Sequence, residues 1–173
     1  PHGYSAARRR HDGAGREVRG AAPRDAMSAH TIHASAVLVG ARAVLIRGPS
    51  GSGKSRLVWA LLEAGRLGQL RFARLVGDDR VHLENAHGRL LVRPAAELAG
   101  LLEIHGLGIA RLPYEPVAVL GWIVDLAATD AERLPAPESR VTIIDGVRLP
   151  RLPVAAQPHP VPILLALING ASA

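Results

Sequence analysis

The sequence contains no cysteine, which excludes disulfide frameworks, cysteine-based zinc sites and thiol catalysis. It also has no apolar run of the roughly 18–20 residues that a membrane-spanning helix needs. The longest apolar stretches lie near Val117–Leu126 and Ile163–Ile168. The N-terminus lacks the apolar segment of a secretory signal. We therefore expect a cytoplasmic protein that does not contact a membrane.

Aromatic residues make up only 3% of the chain, too few for the base-stacking surfaces of many nucleic-acid-binding proteins. The net charge is +6, and half of it comes from residues 1–26, where six arginines stand against three acidic residues. The other arginines are scattered and form no basic stripe. The sequence therefore predicts no nucleic-acid partner. A nucleotide-sensing or nucleic-acid-binding module that uses the basic arm stays open as a non-enzymatic alternative.

Residues 48–55 match the phosphate-binding pattern G-x-x-x-x-G-K-[ST], in which the loop backbone holds phosphates and the hydroxyl binds Mg²⁺. A β-run over 43–47 precedes this pattern, and a helix with apolar residues at helical spacing follows it. Lys54 is the only lysine of the chain, so a sequence that otherwise uses arginine keeps one compact ammonium here. We expect ATP and Mg²⁺ to bind at Gly48, Pro49, Ser50, Gly51, Ser52, Gly53, Lys54 and Ser55.

The composition divides the chain into two parts. Residues 1–26 have no apolar periodicity and are expected to be a disordered extension, with Met27 as the natural start. From Thr31 onward short β-runs dominate, two of them around turns at 85–88 and 145–146 that predict hairpins. We therefore expect one P-loop-containing domain over 27–173, an α/β fold with a strand-rich mixed sheet, hairpins and few helices.

A P-loop enzyme needs a second acidic site, usually an aspartate at the end of an apolar strand. Asp145 is explained by a type I′ turn with Gly146. Asp125, in GWIVDL, is a serious rival as metal residue and would fit a small-molecule kinase or a P-loop ATPase. In the doublet Asp78-Asp79, neighbours on a strand would point to opposite faces, so one could hold metal or structure while the other faces an acceptor. Alternatively, both aspartates lie exposed in a loop and have no role in the site.

Glu103 lies within the apolar run LLEIHGLGIARL, where an isolated charge would need a metal or an arginine as partner. Gly106 and Gly108 follow it and would let the backbone approach a ligand closely. This run is therefore a further candidate for the site.

These features together resemble the C-terminal catalytic domain of the HPr kinase/phosphorylase family, which phosphorylates a serine of the phosphocarrier protein HPr. The resemblance extends from about Thr31 to the C-terminus. It depends on His33 before the loop, the loop itself, the doublet in LVGDD and the run LEIHGLGI. It implies a serine kinase with HPr as its protein partner and a short form without the N-terminal domain of longer members. Because those members are hexamers, it also implies a homo-oligomer.

The resemblance implies a role for each matching residue at the nucleotide. Lys54 would bind the phosphates. Ser55 and Glu103 would hold Mg²⁺, with Asp78 as a further metal ligand.

It also implies roles at the acceptor. Asp79 would accept the proton of the serine hydroxyl, and His33 would orient or ionise that network. Arg133, in AERLP, would stabilise the transferred charge, and Asp125 would be a buried structural residue. Without the resemblance, His33 could be a surface histidine and Arg133 one solvated charge among many.

Two departures from the family pattern affect the expected activity. His105 stands where the family signature has an arginine, so a permanent cation has become a titratable one. The stretch PVAAQP, residues 153–158, stands where the family has an arginine-containing loop tied to dephosphorylation of phosphoserine. Because arginines attract a phosphorylated partner, we expect kinase activity with weak or absent phosphorylase activity.

Overall fold

The computed structural model describes residues 30–156 and 161–170. The expected disordered extension over 1–26 lies outside the described residues. The elements, in chain order, are β1 (His30–His33), β2 (Ser35–Val39), β3 (Arg42–Arg47), α1 (Lys54–Arg66), β4 (Ala73–Gly77), β5 (Arg80–Ala86), β6 (Arg89–Pro94), β7 (Leu101–Ile104), β8 (Gly108–Arg111), β9 (Ala118–Leu126), β10 (Val141–Ile144), β11 (Val147–Val154) and α2 (Val161–Ile168). The prediction of a strand-rich α/β protein with few helices is confirmed.

Nine strands form one mixed sheet, and β7 pairs with β8 in a separate two-stranded sheet. The order along the large sheet is β1-β5-β6-β9-β3-β2-β4, with β11 paired to β9 and β10 paired to β11. β3, β9 and β11 run parallel, whereas the other ladders of this sheet are antiparallel. Because parallel strands end at one edge, the segments that follow β3 and β9 become neighbours.

Both faces of the central strands are buried. Val44 and Ile46 of β3 pack in one apolar cluster with Leu57 and Leu61 of α1. The alternate residues of the same strand, including Leu45, pack in a second cluster on the other face. A strand covered on both faces has a continuous apolar sequence rather than an alternating one. This explains the uninterrupted run that precedes the glycine loop.

The two predicted hairpins form around type I′ turns. His87 and Gly88 connect β5 to β6 with φ of 54° and 77°, and Asp145 and Gly146 connect β10 to β11 with φ of 49° and 77°. A type I′ turn requires positive φ at both central residues, which Asn, Asp, His and Gly tolerate best. The interpretation of Asp145 as a turn residue is confirmed.

α1 begins directly after the glycine loop and ends in a Schellman motif. The N–H groups of Gly68 and Gln69 donate to the carbonyl oxygens of Gly65 and Ala64, at 3.2 and 2.9 Å, and Gly68 has a φ of 73°. Gly68 therefore ends this helix. In the two described ranges, no helix combines the length and apolarity needed to cross a membrane.

Candidate active site

The glycine loop connects β3 to α1, and the side chain of Lys54 folds back onto the backbone of this loop. Gly51 and Gly53 have φ of 76° and 94°, the left-handed region that glycine adopts without steric cost. The buried Lys54 ammonium donates to the carbonyl oxygens of Gly48 and Pro49 at 3.1 and 3.0 Å. The first N–H groups of α1 have no partner within the helix, so this end attracts anions.

Asp78 joins the loop to the sheet. It is 5% exposed and follows the end of β4. Its carboxylate accepts hydrogen bonds from the hydroxyl of Ser35 at 2.5 Å and from the hydroxyl of Ser55 at 2.9 and 3.1 Å. The backbone N–H of Glu103 approaches it at 3.4 Å. A hydroxyl and a carboxylate, both hard oxygen ligands, are thus adjacent at the start of α1.

Asp79, unlike the buried Asp78, is exposed and contacts a histidine. Its side chain is 61% exposed, and its Oδ1 lies 3.1 Å from Nδ1 of His33. The sheet register explains this contact, because β1 pairs with β5 so that His33 stands opposite Arg80, the residue after Asp79. The doublet was expected to lie on a strand. It forms instead a bend between β4 and β5, with Asp79 at a φ of 65°.

Glu103 corrects one expectation from the sequence. It lies in β7, where Leu102 is buried in the core and the Glu103 side chain is exposed. Strand alternation therefore turns the carboxylate outward, and it has no need of a buried partner. Among the described residues its side chain makes no ion pair. It faces the same cavity as the glycine loop.

A cavity of about 960 Å³ brings most of the predicted site together. Its apolar wall comes from α1 and from the segments around β7 and β8. The predicted residues that line it are His33, Ser50, Gly51, Gly53, Lys54, Ser55, Asp78, Asp79 and Glu103. Four more lining residues belong to the run LLEIHGLGIARL, which was a candidate as a whole: Leu101, Ile104, His105 and Ile109. The lining residues that sequence reasoning missed are Arg56, Trp59 and Leu98.

Four predicted residues do not line the cavity: Gly48, Pro49, Ser52 and Arg133. Gly48 packs under the loop, where a Cβ would lie 2.6 Å from the hydroxyl of Ser52 and 3.0 Å from the carbonyl oxygen of Leu126. Pro49 supplies a carbonyl oxygen to Lys54. Arg133 is exposed in the segment between β9 and β10.

Asp125, the rival metal residue, is engaged by two arginines. Its Oδ1 accepts from Nε of Arg47 at 2.6 Å, and its Oδ2 accepts from Arg47 at 2.7 Å and from Nε of Arg151 at 2.5 Å. Burial raises the pKa of Asp125, but these charge-assisted bonds outweigh burial, so the pKa lies below its ordinary value. With both oxygens occupied by cations, Asp125 has the environment of a structural carboxylate.

The residues at the loop fit a nucleoside triphosphate with Mg²⁺. Mg²⁺ is usually bound through one or two carboxylates together with substrate phosphates and other oxygens, and Ser55 with Asp78 supplies such oxygens. Within the described ranges no three His, Asp or Glu side chains converge as an all-protein metal site. The buried hydroxyl of Ser52, inside the loop, has no partner among the described atoms.

The fold and the site define a class: an α/β protein whose glycine loop and adjacent aspartate are arranged to bind a nucleotide. The family model of the HPr Serine kinase C-terminal domain matches residues 25–113 of the 173. The HPr kinase/phosphorylase of Geobacillus thermodenitrificans is 34% identical over 142 residues, covering 73% of this chain and 42% of that protein. That of Streptococcus thermophilus is 40% identical over 80 residues, covering 46% and 24%.

A solved structure gives the same relationship. The Hpr(Ser) kinase/phosphatase from Coxiella burnetii matches with a TM-score of 0.64 and 25% identity, covering 81% of this chain and 93% of that chain. The chain belongs to the HPr serine kinase C-terminal domain family. It spans about two-fifths of the length of the Geobacillus relative.

Proposed function

We propose that this protein is an ATP- and Mg²⁺-dependent serine kinase of the cytoplasm that phosphorylates an HPr-type phosphocarrier protein. The observation that carries the proposal is the division of the aspartate doublet. Asp78 is buried against Ser55 at the start of α1, whereas Asp79 is exposed in the same cavity and contacts His33. One carboxylate would thus lie at the nucleotide, and its neighbour would lie where an acceptor can reach it.

The residues of the chain can perform each part of phosphoryl transfer. When bound, Mg²⁺ neutralises charge on the phosphates, and Ser55 with Asp78 would hold it, with Glu103 as a candidate third ligand. Lys54 would bind the β- and γ-phosphates. Asp79 would take the proton of the serine hydroxyl. The serine oxygen would bond to the γ-phosphorus while the bond between that phosphorus and the bridging β-phosphate oxygen breaks, so ADP leaves.

His33 and Arg133 have supporting roles in the proposal. His33 Nδ1, at 3.1 Å from Asp79, would orient the carboxylate toward the acceptor. Arg133 would stabilise the charge on the transferred group, because its segment follows β9 at the same sheet edge as the glycine loop. We further propose that the protein forms a homo-oligomer and that its phosphorylase activity is weak or absent.

The main alternative is a small-molecule kinase or an ATPase that uses Asp125 at the metal. The two arginines on Asp125 count against it, because a metal would have to compete with two guanidinium groups already bonded to its oxygens.

The non-enzymatic alternative depends on the arm over 1–26, which lies outside the described residues. Deletion of that arm should leave a kinase unaffected and abolish the function of a nucleic-acid-binding module.

The deciding experiment compares two neighbouring substitutions. Asp79→Asn should lower the rate of transfer from labelled ATP to a serine of HPr by about 10²–10⁴-fold, the usual contribution of a general base, while calorimetry shows unchanged Mg·ATP binding. Asp78→Asn should weaken Mg·ATP binding itself. Glu138→Gln, an exposed carboxylate away from the cavity, is the matched control and should change neither. Normal transfer by the Asp79→Asn variant would contradict the proposed base.

A further inference from the structure

Three parallel strands carry a chain of alternating charges near the edge of the sheet from which the glycine loop emerges. Arg47 is the last residue of β3, Asp125 lies near the end of β9, and Arg151 lies in β11. Asp125 bridges the two arginines at 2.5–2.7 Å. The register places Arg47 directly opposite Asp125 across the ladder. The glycine loop, which starts at Gly48, is therefore fixed to the end of β9.

Arg151 extends this chain to the segment that follows β9. Its Nη1 donates to Asp130 Oδ2 at 2.6 Å and to the carbonyl oxygen of Ser139 at 2.9 Å, and its Nη2 donates to Asp130 Oδ1 at 2.9 Å. The planar guanidinium can make this bidentate contact, whereas an ammonium cannot. Arg151 is itself 15% exposed, so the fork is held in place by its surroundings.

Arg133 lies between the two points that Arg151 holds. Asp130 precedes it by three residues and Ser139 follows it by six. Between these points the segment packs little against the rest of the protein, since Arg133 is exposed and the next residue, Leu134, is 82% exposed. The position of Arg133 relative to the glycine loop thus depends on the bonds at Asp130 and Ser139.

We propose that Arg151 and Asp130 form a clamp that positions Arg133 for phosphoryl transfer. The clamp connects the segment of Arg133 through Asp125 and Arg47 to Gly48. The same sheet edge therefore fixes the positions of Arg133 and of the phosphate-binding loop. Arg151 and Asp130 are positioning residues and touch no substrate. This inference rests on the proposed function, because it assigns to Arg133 the role given there.

The test uses Asp130→Asn, because Asp130 is half-exposed and its loss leaves the core intact. The variant should be cleaved by trypsin after Arg133 several times faster than the wild type. Its kcat for transfer to HPr should fall about tenfold with KM for ATP unchanged, since misplacement by about 1 Å can cost up to about 100-fold. Arg151→Lys, which cannot make the bidentate contact, should show the same pattern at least as strongly.

Glu132→Gln is the matched control, since it removes the same charge from an exposed position in the same segment. It should leave both the trypsin rate and kcat at wild-type values. An unchanged trypsin rate in Asp130→Asn would overturn the clamp, and faster cleavage with unchanged kcat would overturn its role in positioning. A wild-type protein that transfers no phosphoryl group would contradict the proposed function and the catalytic half of this inference, whereas the trypsin rates would still decide the clamp.

Discussion

Ser35 provides a sharp test of how Asp78 is held. It is fully buried at the start of β2 and donates to Asp78 at 2.5 Å. The other donors to this carboxylate are the Ser55 hydroxyl and the more distant N–H of Glu103. Ser35→Ala changes the volume little and removes one donor where water has no access. The expected effect is therefore the loss of one hydrogen bond to a charged group.

Such a bond contributes about 1.5–3 kcal/mol, so the free energy of unfolding should fall by about that amount in urea denaturation. The affinity for Mg·ATP should fall as well, because Asp78 loses part of its orientation. A double-mutant cycle with Asp78→Ala separates the bond from other effects of the serine, since Ser35→Ala should cost much less once the acceptor is gone. Ser50→Ala, at an exposed position of the glycine loop, is the control for stability and should stay within about 0.5 kcal/mol.

A coupling energy below about 0.5 kcal/mol would refute this reasoning, because independent sites already deviate from additivity by that much. It would mean that Ser35 and Asp78 are close in space but that their contact does not stabilise the carboxylate. The proposed metal site would then lack the support that the structure gives it from β2.

Two further predictions concern Asp125 and the reverse reaction. The folded-state pKa of Asp125 lies below its ordinary value of 3.8, so its stabilisation is present above that value and is lost as pH falls through the lower, folded pKa. Asp125→Asn should therefore lose stability near neutral pH and show a shallower decline in urea denaturation as the pH falls below 3.8; an unchanged slope would contradict this linkage. For the reverse reaction, inorganic phosphate should remove little phosphate from phosphoserine-HPr, since PVAAQP contains no cation, and rapid loss of label would contradict that expectation.

The local parts of the fold could be predicted from the sequence because short-range chemistry determines them. A positive φ at Asp145 and Gly146 and the Schellman motif at Gly68 follow from which residues tolerate left-handed backbone. The strand order could not be predicted in the same way. The pairing of β9 with β3 joins residues far apart in sequence, and no turn chemistry or periodicity specifies that partner.

The same distinction applies to the site. The glycine loop is contiguous and was recognisable. Trp59, in contrast, lines the cavity, and the buried Ser35 supports Asp78, only through tertiary packing. Trp59 lies one helical turn after Ser55, on the face of α1 away from the buried Leu57 and Leu61, so a helical projection could have identified it. Ser35 carried a weaker signal, a hydroxyl in an apolar strand that must find a buried partner.

The bend at the doublet connects the backbone to the chemistry. On a regular strand, Asp79 would sit in the ladder beside β1, but at a φ of 65° it lies outside it and its side chain meets His33. A left-handed conformation costs a residue with a side chain roughly 1 kcal/mol, which glycine would avoid. Asp tolerates it better than most residues, but only the carboxylate gives the site an acceptor for a proton. Asp145 adopts a similar φ in its turn, so the conformation of Asp79 accounts for the direction of its side chain, and the proposed role of base depends on the cavity and on the contact with His33.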